Sequence, residues 1–322
     1  EMTPNPQLSV VLVICSDTTD AKLDLSILAG NLAALHEQVS PPTLEIIVPY
    51  AAPAEGIEQL HKRYPDVIFR PVGDLRSYQG PGCREHHDEL RSRGLAEARG
   101  EIVALLEDHG YPDRHWARNM WAAHRQDVAA VGGAIENAID RPLNWAVYLC
   151  DFFRYHNPLP AGDSRLASDV NVSYKRAALD SIRPVIFPSF RETTVNRALV
   201  ERGQRIAASP GAIVRQTRKN LRLTSALRER FIWGRSYAGG RSREIGEKRL
   251  ILGVLCPLLP AILIFRIAGT VFERRRLAGA FLKAFPLLVP LTASWSLGEL
   301  VGYFTARPAV QKSTRREALV NS

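Results

Sequence analysis

Along the first 135 residues, short continuous apolar runs alternate with longer amphipathic segments. LSVVLVIC (8–15), LEIIVPY (44–50), DVIFRPV (66–72), GEIVALL (100–106) and VAAVGGA (128–134) have the length and composition of buried strands. Between them, 23–38, 55–64, 84–98 and 113–126 carry apolar residues at helical spacing. This alternation predicts an α/β fold, a Rossmann-like and mostly parallel sheet flanked by helices. Ligands of such sheets bind beyond the carboxyl ends of the strands.

The last third is different. Leu250 to Phe265 and Ala284 to Gly298 contain no charged residue, and apolar flanks at 267–272 and 300–304 extend both runs toward the ~20 residues that a membrane span requires. Two spans would form a hairpin, the arrangement expected here, with Glu273-Arg274-Arg275-Arg276 on the far side. A re-entrant first segment, broken at Pro257 and Pro260, would instead keep that basic turn on the near side.

Charge sharpens the division. The net charge of +9 is spread as −5 over 1–214, +8 over 215–249 and +6 over 250–322. The predicted organisation is therefore an acidic globular domain at 1–214, a basic amphipathic juxtamembrane segment at 215–249, two membrane-associated segments at 250–305 and a basic tail at 306–322. Basic residues beside apolar runs point to anionic membrane lipids. Nothing resembles an RNA- or DNA-binding module, so no nucleic acid partner is expected. Trp233 and Tyr237, interleaved with Arg228, Arg230 and Arg235, suggest a helix in the headgroup region.

The four cysteines match no zinc or redox spacing and read as reduced thiols of a cytosolic domain; the polar opening EMTPNPQ does not read as a signal peptide. There is no GxGxxG after the first strand and no GxxxxGK[ST] anywhere, so dinucleotide and P-loop chemistry are unsupported. The fourth predicted strand instead runs into Glu107, Asp108 and His109. A carboxylate and an imidazole two residues apart in a strand-to-loop turn can share one divalent cation, which would neutralise a diphosphate leaving group. The other reading is an acidic turn in which Asp108 or His109 bonds the backbone of the GYPD segment.

Residues 90–116, LRSRGLAEARGEIVALLEDHGYPDRHW, resemble the block that carries the DxD motif in family 2 glycosyltransferases of the GT-A fold. SVVLVIC, VGGAIENA, NVSYKRAAL, FRETTVNRALVERG and FIWGRSYAGGRSR follow the family's order and spacing, extending the resemblance over roughly 8–245. It implies that Glu107 and His109 reach the metal, that Asp108 lies near the ribose or the sugar diphosphate, and that Arg91 lies near the nucleotide. It also puts Glu192 at the catalytic base. Two positions depart from the pattern. EIIVPYA replaces the usual acidic pair after the second strand, and His109 replaces an aspartate, which favours Mn over Mg because imidazole suits it better. Ser189-Phe-Arg-Glu192 also fits a capping box, in which Glu192 only satisfies a backbone N–H. Asn171, with Lys175 and Arg176, lines the pocket or sits on an exposed strand edge.

The expected activity is transfer of a sugar, with inversion, from a nucleotide-sugar donor to a lipid-linked acceptor at the cell membrane, with the catalytic domain cytoplasmic. The alternatives are a catalytically silent GT-A membrane scaffold and a nucleotidyltransferase on a similar sheet. The short membrane part and the absence of QxxRW argue against a processive synthase.

Overall fold

The computed structural model describes residues 5–15, 24–77, 84–164 and 167–308. The expected alternation is present: β1 (Leu8–Val13), α1 (Leu25–His36), β2 (Leu44–Ala51), α2 (Ile57–Arg63), β3 (Ile68–Val72), α3 (Glu85–Glu97) and β4 (Ile102–Glu107). The chain continues through β5 (Gly110–Pro112), α4 (Trp116–Ala123), β6 (Ala130–Asn137), α5 (Pro142–Phe152), β7 (Gly162–Ser164), β8 (Asn171–Lys175), α6 (Arg176–Ser181), α7 (Arg183–Ile186), α8 (Glu192–Glu201) and β9 (Ile206–Gln216). Among the described residues the sheet runs β3-β2-β1-β4-β8-β6-β9-β5, with β7 also on β9. β3, β2, β1 and β4 are parallel; β8 inserts antiparallel between β4 and β6, and β9 pairs parallel with β6.

The period-2 alternation of side chains divides the apolar runs between two layers. Leu8, Val10 and Leu12 pack with Leu28, Leu32, Trp116 and Met120 on one face. Val11 and Val13 pack with Leu90, Leu179, Val195 and Leu199 on the other. A sheet covered on both faces needs apolar residues at successive positions, which is why β1 is buried throughout.

For Asn171 neither of the two readings, pocket lining or exposed strand edge, describes its place in β8. Asn171 is fully buried in the sheet interior, where its Nδ2 donates to the carbonyls of Ala134 (2.8 Å) and Ala212 (2.9 Å) and its Oδ1 accepts from Trp116 Nε1 (2.8 Å). These bonds satisfy backbone groups freed where the β6–β9 register shifts between Gly133 and Ala134. Gly133 is needed there, since a Cβ would lie 2.2 Å from the Ala212 oxygen.

Beyond β9 come α9 (Leu223–Ile245), α10 (Lys248–Leu255), a 3₁₀ turn over Cys256–Leu258, α11 (Leu259–Glu273) and α12 (Ala278–Thr305). The helical path therefore continues through Pro257 and Pro260. Two helical stretches, Lys248–Glu273 and Ala278–Thr305, are long and apolar enough to cross a membrane, with mean hydropathies of 2.4 and 1.3. α11 and α12 also cover the α/β body: Ile267, Val271, Phe281, Leu288 and Leu291 pack with Val147 and Leu149 of α5. The last strand runs to Gln216, just past the boundary expected at 214. Most of the basic tail expected at 306–322 lies outside the described residues.

α9 and α12 approach through glycines. A Cβ at Gly298 would meet the Phe231 carbonyl oxygen at 2.2 Å, and one at Gly234 the Trp295 oxygen at 2.3 Å. Backbone has no soft rotamer with which to yield, so Gly298→Val should destabilise the full chain by about 1–3 kcal/mol. Gly269→Ala, where nothing lies within 4 Å, should be neutral or stabilising through helix propensity. Denaturant midpoints of the two variants in detergent check this.

Candidate active site

The site grows from the carboxyl ends of β1 and β4, which lie side by side with Val13 opposite Glu107. The turn that follows is pinned from several directions. Asp108 N donates to Val13 O (2.9 Å), while Asp108 Oδ1 accepts from the backbone N–H of Cys15 and of His109, both at 3.0 Å. Asn31 Nδ2, on α1, reaches the carbonyls of Glu107, Asp108 and Gly110 at 2.8–3.1 Å. Thr217 N donates to His109 O at 2.8 Å. Asp108 is thereby a buried strap between the two strand ends, while Glu107 and His109 line a cavity of about 160 Å³.

Beneath that cavity lies Arg91, fully buried on α3. Its guanidinium bonds Asp88 Oδ1 at 3.0 Å, Glu107 Oε1 at 2.5 Å and Asp169 Oδ2 at 3.1 Å. A buried cation is tolerated only when carboxylates and hydrogen bonds replace its water. Its partners come from α3, β4 and the segment before β8, so one residue joins three parts of the chain. Arg84 adds a contact to Asp169 Oδ2 at 3.6 Å.

The carboxyls around this arginine divide into charged and neutral. Burial opposes the charge of Asp169, but Arg91 and Arg84 outweigh it and hold the group below the ordinary carboxylate value. Glu192 lies next to it and accepts from Asp169 N at 3.3 Å. Burial, followed by the negative charge of Asp169, pushes Glu192 up to about 8. Burial likewise lifts Asp88 to about 7 against the pull of Arg91. At His109 burial favours the neutral ring, but the hydrogen bond to Asp108 and the charge of Glu107 prevail and the value is raised.

Glu107, His109 and Glu192 therefore meet in one cavity, whereas Arg91 and Asp108 lie under its wall as supports. The capping box is not formed: α8 begins at Glu192 itself, Arg191 occupies the N-cap position, and no side chain caps it. The cavity also contains Asp169, Arg84, Arg218 and Tyr155, which no motif in the sequence marks as site residues. Asp169 sits two positions before the NVSYKR block, and that proximity was the available signal. Trp233, expected at the lipid headgroups, lines the cavity instead, with the guanidinium carbons of Arg84 and Arg230 at 4.7 and 4.9 Å from its ring centroid. The two guanidinium groups hold the half-buried ring through cation–π contacts.

Glu107 Oε2 and His109 Nε2 stand 3.3 Å apart on the cavity wall. Among the described residues no group of three or more His, Cys, Asp or Glu side chains is placed to hold a metal ion. A carboxylate and a neutral imidazole are both side chains able to ligate a divalent cation such as Mn2+.

Two outcomes follow from this charge arrangement. Arg91→Met leaves Glu107 and Asp169 without their shared partner and should cost about 3–5 kcal/mol in denaturant unfolding. For Glu192, the folded carboxyl at about 8 exceeds its ordinary value of 4.5, so the folded chain retains a proton that the unfolded chain releases. Its contribution to stability should thus be lost as pH rises from about 4.5 to about 8, and be constant above that. In Glu192→Gln this segment of the stability–pH curve should be flatter.

No protein-family model matches the chain, and no curated protein matches it. Among solved structures it is similar to mannosyltransferase PcManGT from Pyrobaculum calidifontis in complex with GDP-Man and Mn2+, at 15% identity and a TM-score of 0.46, over 99% of this chain and 79% of that one. It is also similar to S. aureus TarS 1–349 (14%, 0.46) and to the same protein in complex with UDP (14%, 0.47), each over 91% of this chain and 90% of that one. Likenesses this distant assign no activity to the chain.

Proposed function

We propose that the chain is a membrane-attached, inverting glycosyltransferase of the GT-A type that moves a sugar from a nucleotide-diphosphate donor to a lipid-borne acceptor. The observation that carries this reading is the convergence, at the carboxyl edge of the sheet, of Glu107 and His109 with a Glu192 whose carboxyl sits near 8. Residues 1–214 supply the catalytic body, 215–249 its basic neighbour and 250–305 the membrane-associated part.

Glu192 in its ionised form, which becomes the main form above about pH 8, takes the proton of the acceptor hydroxyl as that oxygen attacks the anomeric carbon, while the bond from that carbon to the donor diphosphate breaks on the opposite face. A carboxylate raised to about 8 is a stronger base than an ordinary one, and Asp169, kept charged by Arg91 and Arg84, is what raises it beyond the effect of burial. Arg84 and Arg218 line the cavity and offer positive charge to a diphosphate. Glu107 and His109 would hold the divalent cation, Mn in preference to Mg, which when bound supplies neutralising charge to the leaving diphosphate. A lipid acceptor is supported by α9: Trp233 lines the cavity while the next residue, Gly234, packs on the apolar α12. In this reading the catalytic body faces the cytoplasmic leaflet.

The full chain, given a panel of nucleotide sugars with Mn2+ and membrane lipid extract, should release nucleoside diphosphate with at least one donor. Glu192→Gln should reduce that release by roughly 10²- to 10⁴-fold while leaving donor binding intact. Release of pyrophosphate would assign the cavity to nucleotidyl transfer, and absence of nucleotide binding would leave a silent scaffold.

A further inference from the structure

The two C-terminal apolar stretches have the length of spans, but their attachments are those of a surface layer. The turn between them is tied to the α/β body. Arg274 donates to the carbonyls of His156 and Arg154, and Arg276 Nη1 donates to Glu136 Oε1 at 2.8 Å and to Asn157 O at 3.2 Å. Lys283, at the start of α12, reaches Asp140 Oδ1 at 2.8 Å. At the other end of the pair Arg249 Nη1 donates to Tyr303 O at 2.7 Å.

Between those ends α12 runs against α9. Besides Gly234 and Gly298, Gly302 is so close that a Cβ would lie 2.6 Å from Arg235 O. α9 carries five arginines and two glutamates, a charge density that hydrocarbon does not accept. A helix held to α9 at Gly234, Gly298 and Gly302 cannot cross a bilayer core about 30 Å thick without taking those charges with it. A crossing hairpin would also carry Arg274 and Arg276 to the far side, away from the loop 154–157 and from Glu136.

The outward faces are mainly apolar, with Arg266 of α11 exposed among the apolar side chains. Ile251, Val254 and Phe265 on the first stretch and Leu282, Val289 and Leu297 on α12 are 45–77% exposed, while Ile267, Val271, Phe281 and Leu288 on the same helices are buried against the body. Each helix thus has one side for protein and one for an apolar medium, which is the pattern of a helix lying in an interface. The preceding segment, 215–249, has eleven basic and three acidic residues and suits an anionic surface.

We infer that α10, α11 and α12 form a plate that lies in the plane of a single anionic leaflet, with the 274–277 turn and the α/β body on the same side of the membrane. This differs from the two-span hairpin that the apolar runs alone suggest, and it holds whichever reaction the cavity performs.

The test uses the full chain carrying a cysteine in the turn (Arg275→Cys, with Gly279→Cys as a second position) and, separately, one on the body (Glu201→Cys). In sealed membrane vesicles, an impermeant maleimide should label turn and body from the same side, above the background of the parent chain. Labelling from opposite sides would overturn the inference in favour of crossing spans. The parent chain should also sediment with phosphatidylglycerol–phosphatidylcholine vesicles. If it stays in the supernatant, or forms a soluble dimer that hides the plate, the inference fails as well.

Discussion

The structure of the site depends on one buried guanidinium. Arg91 has no access to water and is balanced by Asp88, Glu107 and Asp169, which reach it from α3, β4 and the segment before β8. Removing a cation from water is expensive, so its partners are fixed in number and in place. That constraint positions the end of β4 and the Asp169 loop relative to each other more firmly than either would hold alone. It also determines the neighbouring chemistry. Asp169 stays charged because the arginines compensate it, and Glu192, buried beside that charge, keeps its proton up to about pH 8. A cation outside the cavity thus tunes an acid–base group inside it.

α9 connects this site to the apolar surface. Its Trp233 lines the cavity against Arg84 and Arg230, Arg230 is paired with buried-side Asp151 at 2.5 Å, and its glycine positions receive α12. Adjacent residues on one rigid helix serve the cavity and the apolar layer. The basic residues of this segment are divided accordingly: Arg218 and Arg230 are buried in ion pairs, and Arg228 and Lys248 remain exposed.

The sequence by itself determined the alternation of strands and helices over the first 135 residues, because burial on both faces of a parallel sheet demands continuous apolar runs that nothing else in a polar chain resembles. It also located Glu107 and His109, since acidic and imidazole groups at the end of such a run are conspicuous against it, and it marked the apolar C-terminal third. Tertiary structure alone decided which way the remaining side chains point and what they meet. Arg91 and Asp108 are polar letters in a polar stretch, and only the arrival of Asp169 and Cys15 from distant positions makes them buried supports. Asn171 reads equally well as an edge or a centre until β4 and β6 pair on either side of it. Trp233 could face lipid or protein, and the packing of α9 on α12 selected the cavity. Hydropathy registers whether a helix is apolar but not whether its ends are bound to the body, so the orientation of the last two helices is set by Arg274, Arg276 and Lys283 meeting partners more than 100 residues earlier in the chain.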